Sequence, residues 1–292
     1  MTENKIDFKT ITLGEWLTYW FDTYKKPYLA DTSNRNIEQM MRLHTPDWLK
    51  VKQLNTITVF DIDNALAVFP ACRTRTYVRQ TWHSAFEKAE KLGLIQRNVV
   101  TLSESVKYKK ERGKALTIAE QNKFLNDIKG KRVEYLMQFY LHTGLRRAEA
   151  TDLKWTDIDE NANVIHVQGT KTECSNRDIP LTNDIKQILE AQRRQTENEK
   201  GTRFESKKPE YIFDYSPNYL SQLFKKLCPN HHLHDLRHTY VTRCAESGIN
   251  ISACQAFVGH SSPQMTLGIY THVLDNFKRN EAEKFSLNPL ST

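Results

Sequence analysis

A polar, strongly basic run divides this chain: Val106-Lys107-Tyr108-Lys109-Lys110-Glu111-Arg112-Gly113-Lys114. Such a stretch offers too little apolar surface to be buried, so the sequence on either side must build its own core. Length points the same way, since 292 residues correspond to about two domains. The run therefore reads as an interdomain linker over 106–114, between a domain at 1–105 and another at 115–292. Its charge suits a solvated tether and a phosphate-following strap equally. On the second reading Lys107, Lys109, Lys110, Arg112 and Lys114 are candidate DNA contacts.

Upstream of the linker every signal is helical. Thr12 caps a helix whose apolar stripe is Leu13, Trp16, Leu17, Trp20 and Phe21, and Pro27 ends it. A second helix covers Ser33 to His44. A third opens at Thr56 or Thr58 and stops before Pro70. The fourth runs from Arg73 to Leu92, with Val78, Trp82, Ala85, Phe86 and Ala89 on one face and Gly93 as its C-terminal cap. This predicts a four-helix domain without strands. Arg73, Arg75 and Arg79 open the fourth helix as candidate contacts to phosphates or base edges. Lys25, Lys26 and Arg35 are weaker ones.

Downstream, Thr117 and Glu120 form a capping box. Helices are expected at 117–128, 132–142 and 146–154. Two short strands follow, Val164-Ile165-His166-Val167 and Arg177-Asp178-Ile179-Pro180-Leu181, joined by a polar turn that carries Lys171. Further helices are expected at 183–198, 216–227, 234–247, 252–258, 262–270 and 274–285. The fold class is mainly α with a small β-sheet (α+β).

Lys and Arg number 42 against 35 Asp and Glu, a net charge of +7 that suits an anionic partner such as nucleic acid. The cysteines are Cys72, Cys174, Cys228, Cys244 and Cys254, scattered without metal or redox spacing, as expected of free thiols in a reducing cytosol. The polar N-terminus has no signal-peptide core, and no apolar run approaches a membrane span. A soluble, cytoplasmic protein is expected.

The blocks that carry chemistry are spread through the second region. They are Thr143-Gly144-Leu145-Arg146-Arg147-Ala148-Glu149, Thr170-Lys171-Thr172, His234-Asp235-Leu236-Arg237-His238, Gly259-His260-Ser261 and Leu267-Gly268-Ile269-Tyr270-Thr271-His272. Arginine stays protonated and grips two phosphate oxygens at once, which makes Arg146 and Arg237 a candidate phosphate clamp. His234 and His260 can donate hydrogen bonds or shuttle protons. Tyrosine titrates near 10, so a nucleophilic Tyr270 requires nearby positive charge to favour its ionised form. Glu149 follows Arg146 at a spacing that shares a helix face. Arg177 reads as a partner for a carboxylate, and Asp235 as a helix N-terminal residue.

In order and spacing these blocks resemble the tyrosine recombinases, the phage-integrase family. The resemblance implies a SAM-like four-helix core-binding domain followed by the family's catalytic domain. It assigns Tyr270 as a nucleophile that forms a covalent 3′-phosphotyrosyl link, so that rejoining needs no ATP. Lys171 becomes the general acid for the 5′ oxygen, His234 the group nearest the nucleophile, and His260 a phosphate-oxygen donor. Glu149 supports its neighbours. The implied partners are double-stranded DNA attachment sites, met by a homotetramer of protomers that are monomeric in solution. Accessory DNA-bending or directionality proteins fit this scheme, whereas a metal, a nucleotide or any other cofactor has no part in it. The amphipathic segment bearing Leu274, Phe277, Ala282 and Phe285 is expected to dock on a neighbouring protomer.

Within the family, Thr170-Lys171-Thr172 and 265–272 look most like phage and mobile-element integrases. Many of those carry an extra N-terminal arm-binding domain, whereas here the helical domain begins almost at Met1. A Xer-like resolvase, a DNA invertase or a truncated form therefore remain alternatives. A catalytically silent DNA-binding protein is a different class. His234 and His238 have the spacing of helical zinc ligands, which would suit a metallonuclease, but the intervening Arg237 would repel a cation.

Overall fold

The computed structural model describes residues 7–105, 113–169, 176–259, 264, 266–268 and 270. The chain divides into two compact units, Met1–Glu111 and Arg112–Thr292. The linker lysines Lys107, Lys109 and Lys110, with Arg112, lie outside the described residues, as do Lys171, His260 and the segment 271–292.

The first unit has helices α1 (Leu13–Tyr24), α2 (Asp31–His44), α4 (Val59–Ala67) and α5 (Arg73–Lys91), with the one-turn helices α3 (Asp47–Lys50) between α2 and α4 and α6 (Val99–Leu102) after α5. The α1 stripe is buried throughout, and Thr12 closes a capping box with Glu15. Thr58 and Asp61 do the same for α4. The α1 and α5 stripes meet in one core, where two buried indoles find partners. Trp16 Nε1 donates to the Ala85 carbonyl at 3.0 Å, and Trp82 Nε1 to Thr45 Oγ1 at 3.0 Å. The expectation of four helices misses α3 and α6, which are too short to show a periodic stripe. Asn98 caps α6 through Oδ1, which accepts from the Val100 N–H at 3.0 Å.

Arg79 serves a different purpose from the one expected of it. Its Nε donates to Ser103 Oγ at 3.0 Å, and its Nη2 to the carbonyls of Val100 and Ser103 at 2.8 and 3.0 Å. These bonds commit the guanidinium to stapling α5 onto the end of α6. Arg75 reaches inward to the Phe69 carbonyl at 3.4 Å. Arg73 lies over the exposed ring of Tyr77.

The second unit begins with α7 (Ile118–Ile128), α8 (Glu134–Thr143) and α9 (Arg147–Asp152). A three-stranded antiparallel sheet follows: β1 (Ile158–Asp159), β2 (Val164–Val167) and β3 (Arg177–Pro180). Then come α10 (Asn183–Glu199), α11 (Pro217–Leu227), α12 (Asp235–Glu246) and α13 (Ile251–Val258). The β2–β3 register pairs Ile165 with Ile179 on the buried face and His166 with Asp178 on the exposed face. His166 Nδ1 lies 2.7 Å from Asp178 Oδ1. The third strand, β1, goes beyond the two that the sequence predicts, because two residues are too few to show alternation. Val167 pairs with Arg177 at the far end, where Gly169 N–H donates to Asn176 Oδ1 at 2.8 Å and closes the base of the turn.

Both α8 and α13 end on a glycine in the left-handed region, Gly144 (φ 62°) and Gly259 (φ 65°). These two caps turn carbonyls toward the site described next. No helix among the described residues is long and apolar enough to cross a membrane.

Candidate functional site

The site grows out of the two glycine caps. Arg146, the N-cap residue of α9, donates from Nη2 to the Gly259 carbonyl at 2.7 Å. Arg237, one turn into α12, donates from Nη1 to the Gly144 carbonyl at 2.8 Å. Each arginine is thus fixed at one end by a backbone oxygen that a positive-φ glycine presents.

Glu149 is the counter-charge. Its Oε1 accepts from Arg146 Nη1 at 2.6 Å and its Oε2 from the Arg146 backbone N–H at 2.8 Å. Arg177 adds a second guanidinium, at 3.2 Å to Oε1 and 2.9 Å to Oε2. Burial alone would raise the carboxyl pKa, but the hydrogen bonds and charges of Arg177 and Arg146 outweigh it and hold the group down at about 2. Arg177 is therefore central to the site, although the sequence marks it only as an ion-pair partner.

One carboxylate faces three guanidiniums, and the imbalance falls on Arg237. Its side chain is buried, and Nη2 has no hydrogen-bond partner among the described residues. Burial first, then the nearby Arg146 charge, lowers its pKa to about 9. Leaving a buried charged donor unpaired costs several kcal/mol in general. An anion between Arg146 and Arg237 would relieve that cost.

His234 stands at the N-cap position of α12 next to this charge. It keeps an exposed face, yet crowding by protein, the nearby His238 and the Arg237 charge lower its pKa to about 4, so the imidazole is neutral at pH 7. The His234 and His238 rings meet edge to face at 5.1 Å. Asp235 serves as a helix-terminal residue, its Oδ2 accepting the His232 N–H at 2.9 Å. His234 also borders a cavity of about 360 Å³ whose polar lining includes Arg147, Lys225, His231 and His232. Among the described residues no group of three histidine, cysteine, aspartate or glutamate side chains is arranged to hold a metal ion.

Tyr270 departs from expectation. Its hydroxyl donates to the Ile249 carbonyl at 3.1 Å, and its ring packs in a small core with Val241, Cys244, Cys254 and Val258. Burial and the adjacent Cys254 thiol push its pKa up, not down. Of the cations expected to ionise it, Arg146 is held by Glu149 and the Gly259 carbonyl, and Arg237 by the Gly144 carbonyl. Of the linker cations, the described Lys114 is exposed.

The model of the phage integrase family matches residues 108–276, more than half of the chain. The chain belongs to the phage integrase family. Among curated relatives, "Tyrosine recombinase XerC-like" of Caldanaerobacter subterraneus subsp. tengcongensis is 28% identical over 208 residues, covering 59% of this chain and 53% of that protein. "Tyrosine recombinase XerA" of Saccharolobus solfataricus is 31% identical over 175 residues, covering 60% and 57%. The chain thus spans little more than half the length of these relatives. "Tyrosine recombinase" of Thermosipho africanus aligns more fully, at 27% identity over 88% of this chain and 96% of that protein.

Two solved structures share the family fold. The Tn1549 transposon integrase, in complex with a circular intermediate DNA, superposes with a TM-score of 0.74 at 21% identity, covering 94% of this chain and 100% of that one. The lambda integrase tetramer bound to a Holliday junction gives 0.74 at 21% identity, covering 89% and 77%.

Proposed function

We propose that this chain is a tyrosine-type site-specific DNA recombinase acting on double-stranded DNA attachment sites in the cytoplasm. The observation that carries this reading is the buried, unpartnered Nη2 of Arg237 beside Arg146. A phosphodiester set between the two guanidiniums would satisfy it. It would also meet fixed donors as charge grows on its non-bridging oxygens in the transition state.

The chemistry is a phosphoryl transfer. Tyr270 Oη forms a bond to phosphorus as the bond to the 5′ oxygen breaks, leaving a 3′-phosphotyrosyl link. The tyrosine proton passes to His234, which is neutral at pH 7 and whose basicity, held down by burial and the Arg237 charge, rises beside the bound phosphate anion. Lys171 supplies the proton that the departing 5′ oxygen needs, and His260 donates to a non-bridging oxygen. Rejoining reverses these steps with a 5′ hydroxyl from the partner duplex. To act, Tyr270 must exchange its bond to the Ile249 carbonyl for the phosphate.

A homotetramer assembled on DNA from solution monomers, with accessory DNA-bending or directionality proteins, completes the proposal. Arg73 and the linker cations, Lys114 included, are the remaining candidates for phosphate contact outside the site. The motifs Thr170-Lys171-Thr172 and 265–272 favour an integrase of a phage or mobile element. The XerC and XerA names of the curated relatives favour a resolvase instead. Recombination between two unlike sites, set against resolution of direct repeats of one site, separates these readings. The common chemistry is tested by incubation with a nicked suicide substrate. An SDS-stable protein–DNA adduct is expected, and its absence on cognate DNA would contradict the proposal.

A further inference from the structure

Arg177 joins three parts of the site that the chain keeps far apart. It is the first residue of β3, at the end of the hairpin whose turn carries Lys171. Its side chain is 7% exposed, as is that of Glu149. Its Nε donates to the Phe257 carbonyl at 2.7 Å, in the last turn of α13. Its two terminal nitrogens take both oxygens of Glu149. Those same oxygens hold the side chain and backbone of Arg146, whose other terminal nitrogen is fixed to the Gly259 carbonyl just before His260.

The packing around this knot is close. A Cβ on Gly259 would stand 3.0 Å from both Cδ and Nη1 of Arg177, so the guanidinium stacks directly on the turn. Arg177 therefore touches the α13 cap that precedes His260 in sequence, and it reaches Arg146 through Glu149. Charge leads to the same conclusion. Were Glu149 to face Arg146 alone, the pair would be neutral, and Arg146 would have little net charge to offer a phosphate. With Arg177 balancing the carboxylate, the charge of Arg146 stays available.

We infer that Arg177 is a positioning residue for phosphoryl transfer. It aligns Arg146 and the Gly259 turn, and it neutralises Glu149 without touching DNA. The inference rests on the proposed recombinase reading. The bland alternative is a buried ion pair that serves stability alone, and the two differ in what removing both charges does. Taking away one member of a buried pair is strongly destabilising, whereas taking away both is often tolerated. A purely structural Arg177 would thus let the double variant E149Q/R177M regain stability and activity together.

The test is single-turnover cleavage of a saturating nicked suicide substrate by wild type, R177K, R177M and E149Q/R177M. DNA affinity and thermal melting are measured alongside. For R177M the inference expects affinity close to wild type and cleavage lower by up to about 10²–10³, the cost if the Arg146 donor that it aligns is lost from the transition state. R177K keeps the charge without the planar fork and should recover only part of the rate. E149Q/R177M should melt close to wild type and, with no carboxylate left to neutralise, still cleave slowly because the alignment of Arg146 and the Gly259 turn is lost.

A substrate with a methylphosphonate at the scissile position adds a readout that mere destabilisation would not move. That linkage carries no non-bridging negative charge, so it makes less demand on Arg146, and the R177M defect should shrink on it. Wild-type cleavage by R177M, activity regained with stability in the double variant, or a defect undiminished on the methylphosphonate would each overturn the inference. Should R177M fail to fold, the double variant carries the decision alone. No adduct from wild type on either substrate would instead overturn the recombinase reading itself.

Discussion

Gly144→Ala probes the seat of Arg237 without touching a charged group. Gly144 ends α8 at φ 62°, and its carbonyl accepts from Arg237 Nη1 at 2.8 Å. Placing alanine in the left-handed region costs about 1–2 kcal/mol. The new methyl would also stand 2.4 Å from Cδ1 and 3.0 Å from Cγ of Tyr240, so that ring must move. Displacing a packed side chain adds about 1–3 kcal/mol. The sum is roughly 2–5 kcal/mol. Gly248 is the internal control, since it has φ 72° at the end of α12 but nothing within 4 Å of the place a methyl would take. Gly248→Ala should therefore cost only the backbone part, about 1–2 kcal/mol. Urea denaturation read by amide exchange in α8 and α12 reports on this unit specifically. Gly144→Ala should lose clearly more stability, and its cleavage should fall as the Arg237 anchor shifts. Equal losses at the two glycines, or unimpaired cleavage by a destabilised Gly144→Ala, would refute the argument.

Stability should fall on acidification in two stages. His234 is lowered from 6.5 to about 4, so its contribution is present at neutral pH and lost as the medium falls from about 6.5 toward 4; His142 and His238, lowered by burial, act in the same direction. Glu149, lowered from 4.5 to about 2, extends the loss below pH 4.5, and Glu149→Gln should flatten that lower limb in melts recorded against pH. A melting temperature that rises between pH 7 and 4 would contradict the histidine assignments, and one that stays level below pH 4.5 would contradict that of Glu149. Lys171→Ala should cleave ordinary DNA poorly and recover on a 5′-bridging phosphorothiolate, whose thiolate leaves without a proton; failure to recover would remove Lys171 as the general acid.

Legibility in the sequence tracks the length of each signal. The stripes of α1 and α5 repeat over several turns, and the predicted apolar residues are the ones buried. α3, α6 and β1 are too short for any period to register. Arg79 shows a different limit. A basic residue on a helix reads as solvent-facing or DNA-facing, but its acceptors, Val100 and Ser103, come from an aperiodic segment that local pattern cannot bring near. At the site, the Arg146–Glu149 contact follows from a spacing of three residues, and the structure has it at 2.6 Å. The Gly144 and Gly259 carbonyls and the Arg177 knot stay hidden from sequence, since each joins residues separated by dozens of positions. A glycine at a helix end signals a positive-φ cap. It does not say which side chain its carbonyl will receive. The environment of Tyr270 escapes the sequence for the same reason: Ile249 and Cys254 reach it through the packing of α12 and α13, and burial prevails over the expected positive charge.

The central claim is that Tyr270 leaves its bond to the Ile249 carbonyl and becomes covalently linked to DNA at a phosphate held by Arg146 and Arg237. The direct measurement is mass spectrometry of the peptide cross-linked to a nicked cognate substrate, together with identification of the DNA end that it carries. The account predicts a 3′-phosphate joined to Tyr270 and no adduct from Tyr270→Phe, which should still bind the DNA. An adduct on any other residue, a 5′ linkage, or undiminished adduct from Tyr270→Phe would contradict it.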